Sequence, residues 1–311
     1  MDLKSIKTVV VHTPCMDGLA SAMIVQDALK GVEEAVFCAY GKQQLELKAE
    51  PGMLFCDFTP ARERVAEFVA AGAYVLDHHV HARDIVEAFG DRGIFSDEPG
   101  VSGAVLAYRH VWCPTYDAPW APGHTPANHV GEFAELVGIR DTWQKASPDF
   151  QRALELHAIL EAFPREVWLE DGAIEVAMKG LRQGLGKALV ERKAATIRDI
   201  AQLGLVRRSA LGADGSGQQV WALSCVGPEL TSDLAEAARA RGVDVLVNLS
   251  LTGEKGELKY LVSLRSNDSL DVGALAKRLG GGGHRAAAGF QYAADIGVVQ
   301  FFRWLIEFAT L

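Results

Sequence analysis

The stretch HTPCMDG, residues 12–18, decides how the chain is read, because it joins the apolar run TVVV at 8–11 to the helical-looking LASAMIVQDAL that begins at Leu19. An apolar run, a short turn and a helix in that order describe one strand-to-helix unit. Within the turn a His, a Cys and an Asp fall within six positions. Three chemistries suit such a cluster: holding a metal, attacking a substrate, or capping the helix.

Further along, EAVFCAY, MLFCDF and AYVLDHH are short apolar runs, and ARERVAEFVAAG between two of them has helical spacing. Strands alternating with helices of this length predict an α/β domain with a mostly parallel sheet flanked by helices. Ligand sites on such sheets lie beyond the carboxyl ends of the strands. HTPCMDG, CDFTP and LDHHVH each start where an apolar run ends. Repetition is what separates them from ordinary turns, since Asp57 alone reads as an N-cap for the helix that follows and a lone His pair as a surface turn.

At 311 residues the chain exceeds what one core usually supports, so two domains are expected. The N-terminus lacks the apolar stretch and cleavage site of an export signal, and the C-terminal FFRWLIEFATL is short and charged, which argues for a cytoplasmic protein outside the membrane. Five cysteines, at 15, 38, 56, 113 and 225, form no CxxC pair and suit reduced thiols rather than a disulfide framework. A net charge of −9 excludes a protein that coats nucleic acid by general electrostatics. An anionic substrate would therefore need bound cations or a local basic patch.

Residues 114–127, PTYDAPWAPGHTPA, carry four prolines and are expected to be loop. Helical spacing resumes in NHVGEFAELVGIRDTW. We divide the chain into a catalytic domain at 1–185, a linking helix at 186–205 and a smaller α/β domain at 206–311, whose strands pair through the turn LTGEKGE.

His12, Asp17, Asp57, His78 and Asp141 together supply imidazole and carboxylate ligands without thiolate pairs. That mix suits Mn²⁺ or Mg²⁺ better than structural Zn²⁺. Two such ions roughly 3.5–4 Å apart activate an attacking water and offset the charge of phosphoryl oxygens, which would answer the charge problem of an acidic protein with an anionic substrate.

Taken in order, HTPCMDG, CDF, DHH at 77–79 and RDTW at 140–143 resemble the motifs of the DHH phosphoesterases, and RSNDSLDVGALAKRLGGGGHRAAAGF resembles the signature of their DHHA1 domain. The likeness covers nearly the whole chain. It implies one metal position held by His12 and Asp57 with residue 15, and a second held by Asp17, Asp57, His78 and Asp141. It makes Asp77 an orienting group and His79 the contact to the scissile phosphate or leaving oxygen. Arg265, Gly281, Gly282, Gly283 and His284 become the substrate-binding set.

Position 15 departs from the family, which commonly has an acidic residue there. A Cys15 nucleophile is disfavoured because Asp17 lies close and no Arg follows in CMDGLASA. Two readings stay open: Cys15 ligates the metal, or the position is left with fewer protein ligands. The run GGGGH at 280–284 reads as a phosphate or nucleotide cradle, with backbone N–H groups and a following helix N-terminus facing the anion. Arg265 would hold phosphate by two hydrogen bonds. Lys277, Arg278 and Arg285 add local positive charge, and Ser102 and Gly103 most simply begin a helix.

The resemblance therefore implies a Mn²⁺-dependent enzyme with one or two ions that cleaves short oligoribonucleotides or dinucleotides to nucleoside monophosphates, with removal of phosphate from 3′,5′-bisphosphoadenosine (pAp) as a second activity. Signalling dinucleotides, cyclic or linear, and a nucleotide-binding regulator without turnover are the alternatives. No basic channel for long DNA is evident by composition. Homodimerisation is left open.

Overall fold

The computed structural model describes residues 1–116, 128–211, 218–254, 257–267 and 269–310. The chain divides into two compact units, Met1–Glu191 and Arg192–Leu311.

In the first unit β1 (Thr8–His12) is followed by α1 (Met16–Ala28), β2 (Glu34–Cys38), the short α2 (Lys42–Glu46), β3 (Met53–Cys56), α3 (Val65–Ala70), β4 (Tyr74–Asp77), α4 (Arg83–Glu87) and β5 (Gly93–Phe95). All five strands are parallel, in the order β2-β1-β3-β4-β5. The three central strands β1, β3 and β4 are buried on both faces by period-two alternation. Val9, Val11, Leu54, Cys56 and Leu76 point to one core, and Val10, Phe55 and Val75 to the other, against Phe58, Phe68, Val86 and Phe89. The chain leaves β1 toward β2 and returns to β3 on β1's other side. That reversal is the kind of switch point where a crevice forms beyond the strand ends.

The helical layer over the first core begins with α5 (Gly103–Ala107), which continues through a π-turn at Tyr108–Trp112 into α6 (Cys113–Thr115). Pro114 thus lies in a helical turn and not in loop. Residues 117–127 of the proline-rich stretch lie outside the described residues. The layer is completed by α7 (His129–Asp141), α8 (Phe150–Glu161) and α9 (Ala173–Arg182), and α10 (Leu185–Asp199) follows. Helix α1 is buried at every position from Asp17 to Val25, so it is covered on all sides by this layer and the sheet.

The second unit is a six-stranded sheet in the order β10-β11-β9-β8-β7-β6, with ranges β6 Val206–Leu211, β7 Gln218–Ser224, β8 Val245–Glu254, β9 Glu257–Ser266, β10 Gly282–His284 and β11 Ala287–Ala293. Only β7 and β8 pair in parallel. One face packs on α12 (Val272–Arg278) and α13 (Val298–Thr310) through Leu275, Phe301, Phe302 and Leu305, and the other on α11 (Thr231–Arg239) through Leu234 and Ala238. Among the described residues no helix is long and apolar enough to cross a membrane.

The glycine run differs from its expected form. Gly280 (φ +79°) ends α12: its N–H donates to Lys277 O and the Gly281 N–H to Ala276 O, a Schellman closure. Gly281 and Gly283 let β10 approach β11, where a Cβ would lie 2.1 Å from Gly289 O and 2.5 Å from Ala288 Cα. No helix starts after the run. The helix end beside it is the carbonyl end of α12, of the wrong polarity for an anion. The cradle expected from GGGGH therefore lacks its helix dipole, because Gly280, Gly281 and Gly283 here serve a helix stop and a close strand pair.

Candidate metal centre

Three neighbouring strand ends build the site. His12 closes β1, Asp57 follows β3, and Asp77 closes β4 with His78 and His79 next in sequence. Cys15 and Asp17 arrive on the first turn of α1, and Asp141 is the last residue of α7. Gly18 permits the tight entry of α1, since a Cβ there would lie 2.4 Å from the His12 carbonyl oxygen.

The ligand atoms fall into overlapping groups in which every atom lies within 4.8 Å of the others: His12, Cys15 and Asp57; Asp17, His78 and Asp141; and Asp57, His78 and His79. His78 Nε2 faces Asp57 Oδ1 at 3.3 Å, Asp141 Oδ2 at 3.5 Å and Asp17 Oδ2 at 3.7 Å. One ring nitrogen carries at most one proton, so it cannot serve three carboxylates. The Cys15 thiol donates to Asp57 Oδ2 at 3.3 Å.

Asp57 does not cap the helix that follows it. It is buried, and its backbone takes the left-handed φ of +54° directly after β3. That conformation turns its carboxylate back over the strand ends. Burial, then the negative charge of Asp17, pushes its carboxyl well above the usual range. Asp141 is pushed up to about 6 for the same two reasons. Burial and the nearby His79 hold His12 below the ordinary imidazole value, which favours the neutral form that binds a metal. Burial and the charges of Asp57 and Asp17 push the Cys15 thiol up, away from the activated thiolate of a nucleophile.

These residues fit divalent cations. Asp17, Asp57 and Asp77 are all at most 2% exposed, and one oxygen of Asp77 has no hydrogen-bond partner among the described residues. Buried carboxylates converging on single imidazole atoms need positive charge, and oxygen and nitrogen donors at this spacing suit a hard or borderline ion. His12, Asp57 and Cys15 would hold one ion, and Asp17, Asp57, His78 and Asp141 the other.

Asp77 has a different task. Its Oδ1 accepts both the backbone N–H and the Nδ1 side of His79, each at 2.8 Å. That clamp leaves His79 Nε2 as the outward atom, on a ring one-third exposed. The hydrogen bond to Asp77 raises the His79 pKa.

Ser102 and Gly103, read from sequence as a helix start, also hold the site. Asp17 accepts from Ser102 Oγ (2.7 Å), Gly103 N (2.7 Å) and Ala104 N (2.9 Å), so one carboxylate closes the N-terminus of α5 while facing His78. A small residue pair opening a helix after β5 is the only sequence trace of this. Replacing Ser102 by Ala is expected to remove about 2 kcal/mol of stability and lower Tm by roughly 4–8 °C, with weaker divalent-cation binding, in melting curves and metal titrations. Aromatic rings around His12 were likewise missed: Phe58 stacks at 6.0 Å and Tyr40 packs at 4.7 Å.

The remaining sequence candidates belong to the second unit. Arg265 on β9 pairs in register with Ala287, which pairs with His284 on β10, so all three share one row on one sheet face. Arg265 is half-buried and donates to Ser232 Oγ from Nε and Nη2, at 3.3 and 3.2 Å. His284, Gly282 and Gly283 are exposed.

Residues 234–307 match the DHHA1 domain family. An uncharacterized protein of Acanthamoeba polyphaga mimivirus is 24% identical over 329 residues, covering 95% of this chain and 70% of its own length. Among solved structures, the pGpG-specific phosphodiesterase PggH of Vibrio cholerae aligns with a TM-score of 0.50 and 14% identity, over 97% of this chain and 98% of that one. CDC45 of Entamoeba histolytica aligns with a TM-score of 0.50 and 9% identity, over 99% and 96%. At these identities the structural likeness is one of fold.

Proposed function

We propose that this chain, whose residues 234–307 match the DHHA1 domain family, is a DHH-type phosphoesterase: a Mn²⁺-dependent phosphodiesterase cleaving short oligoribonucleotides or dinucleotides to nucleoside monophosphates. The observation that carries this reading is the meeting of the His12–Cys15–Asp57 and Asp17–His78–Asp141 groups, with Asp57 Oδ1 3.3 Å from His78 Nε2, beside His79 on its Asp77 clamp. When bound there, two divalent ions would supply the positive charge and the acidified water that phosphodiester hydrolysis requires.

The chain's own residues do the rest. Asp57, in one group and facing His78 of the other at 3.3 Å, links the two. Asp77 holds the His79 tautomer so that Nε2 faces the substrate, and the raised pKa keeps a proton available for the departing oxygen. His79→Ala is expected to lower kcat by about 10²–10⁴-fold with Mn²⁺ binding retained; a variant of unchanged turnover would remove His79 from the mechanism. In the second unit, the guanidinium of Arg265 and the exposed His284 are the groups proposed to receive phosphate. The overall charge of −9 supports a short substrate rather than a long strand.

The test is a 5′-labelled RNA ladder of two to ten nucleotides with Mn²⁺ or EDTA, with pGpG and pAp beside it. Metal-dependent loss of the shortest species supports the reading. Nucleotide binding without cleavage at any length would overturn it in favour of a regulator disabled at Cys15.

A further inference from the structure

Beside the ligand cluster, and wholly within the first unit, lies a cavity of about 350 Å³. Pro14, Cys15, Asp17 and Asp141 form the wall it shares with the candidate metal centre. The opposite wall is apolar, made by Val137, Leu156 and Leu160 from α7 and α8. Three polar groups complete its lining: Arg140, His157 and Glu161. His157 Nε2 pairs with Glu161 Oε1 at 3.4 Å across one turn of α8.

Apolar walls with a few placed polar groups are how proteins hold flat heterocycles, and this volume is at the small end of ligand sites, suited to one nucleoside rather than several. Continuity with the cluster through Asp17 and Asp141 puts an occupant next to a phosphate held there. We propose that this cavity is a nucleobase subsite for the nucleotide bonded to the scissile phosphate, and that it favours guanine. The inference rests on the phosphodiesterase reading for what the phosphate does, not for what the cavity binds.

The preference follows from donor and acceptor patterns. Glu161 is an acceptor-only carboxylate whose Oε1 also meets His157 Nε2 at 3.4 Å, and guanine presents N1–H and N2–H₂ side by side as donors to such a group. Arg140 donates only, and guanine O6 and N7 only accept. Adenine instead sets the acceptor N1 beside its N6–H₂, so a carboxylate placed there meets one donor and one repelling lone pair. Glu161 and Arg140 are therefore specificity-determining groups, with His157 positioning the former.

The test is calorimetric titration of the full chain in Mn²⁺ with GMP and with AMP. GMP is expected to bind at least about tenfold more tightly, and Glu161→Gln to bring the ratio near one. Ala153→Leu, which enters the cavity from α8, is expected to weaken both nucleotides about tenfold. Equal affinities in the wild type, a ratio unmoved by Glu161→Gln, or full affinity in Ala153→Leu would each overturn the subsite. Parallel assays on pGpG and pApA separate the two readings. Intact dinucleotides with the GMP preference retained would sink the phosphodiesterase and leave the subsite; equal cleavage with equal nucleotide affinities would do the reverse.

Discussion

Asp57→Asn is expected to lower turnover on the order of 10³-fold, equivalent to about 4 kcal/mol of lost transition-state stabilisation, while making the metal-free protein more stable. The loss follows because Asp57 is grouped with His12 and Cys15 and also faces His78 of the other ligand group at 3.3 Å, so both proposed ions lose a carboxylate. The gain in stability follows from the sign of its titration. Burial and Asp17 raise the carboxyl well above its usual range, so the folded state binds its proton more tightly than the unfolded chain does. Stability from this group is present at pH values below the ordinary carboxylate range and is lost as pH rises through the window up to the raised value. At neutral pH the metal-free wild type therefore carries a penalty that an amide lacks. Asp141, at about 6, adds to the same trend. Calorimetry in EDTA should show Asp57→Asn melting above the wild type at pH 8 and close to it at pH 4. Added Mn²⁺ should raise the wild-type Tm and leave the variant's unmoved. An equal Mn²⁺ response in both proteins would count against Asp57 as a shared ligand.

Gly103→Ala is expected to lower turnover about 10²-fold although it adds a single methyl group. A Cβ at Gly103 would lie 2.5 Å from Asp57 Cβ and 3.0 Å from both Asp57 Cα and Asp17 Oδ2. None of these atoms is the free end of a flexible side chain, so the start of α5 or the Asp57 backbone must move. Overpacking of this kind costs roughly 1–3 kcal/mol, and a displacement of about 1 Å at reacting groups lowers rates about 10²-fold. Melting curves and Mn²⁺ titrations should both fall together. Gly31→Ala is the matched control, because its nearest neighbour, Lys7 Nζ, is 4.0 Å away; it should stay within about 0.5 kcal/mol of wild type.

The first sheet was legible because its strands follow one rule, buried alternation ended by a chemistry-bearing turn, and His12, Asp57, Asp77 and His78 fall where that rule puts them. Three residues of β5 give no periodicity to read, and its neighbour Ser102 looks like any helix start. The link from Ser102 and Gly103 to Asp17 spans 85 and 86 positions, so only packing reveals it. The helix expected after GGGGH is missing for another reason: glycine composition signals close approach without naming the partner, and at Gly281 and Gly283 that partner is β11. At Cys15 the sequence left the metal role open, and the thiol's hydrogen bond to Asp57 shows which carboxylate it answers to.

The left-handed backbone at Asp57 limits how this position can drift. Two independent filters act on it: a conformational one that admits glycine, asparagine and aspartate, and a chemical one that admits carboxylates. Aspartate alone passes both. Glutamate keeps the charge but strains the turn, whereas asparagine and glycine keep the turn and lose the ligand. A lineage that abandons catalysis while keeping the fold should therefore replace this residue by asparagine or glycine, and an alanine scan there would confound backbone strain with lost chemistry.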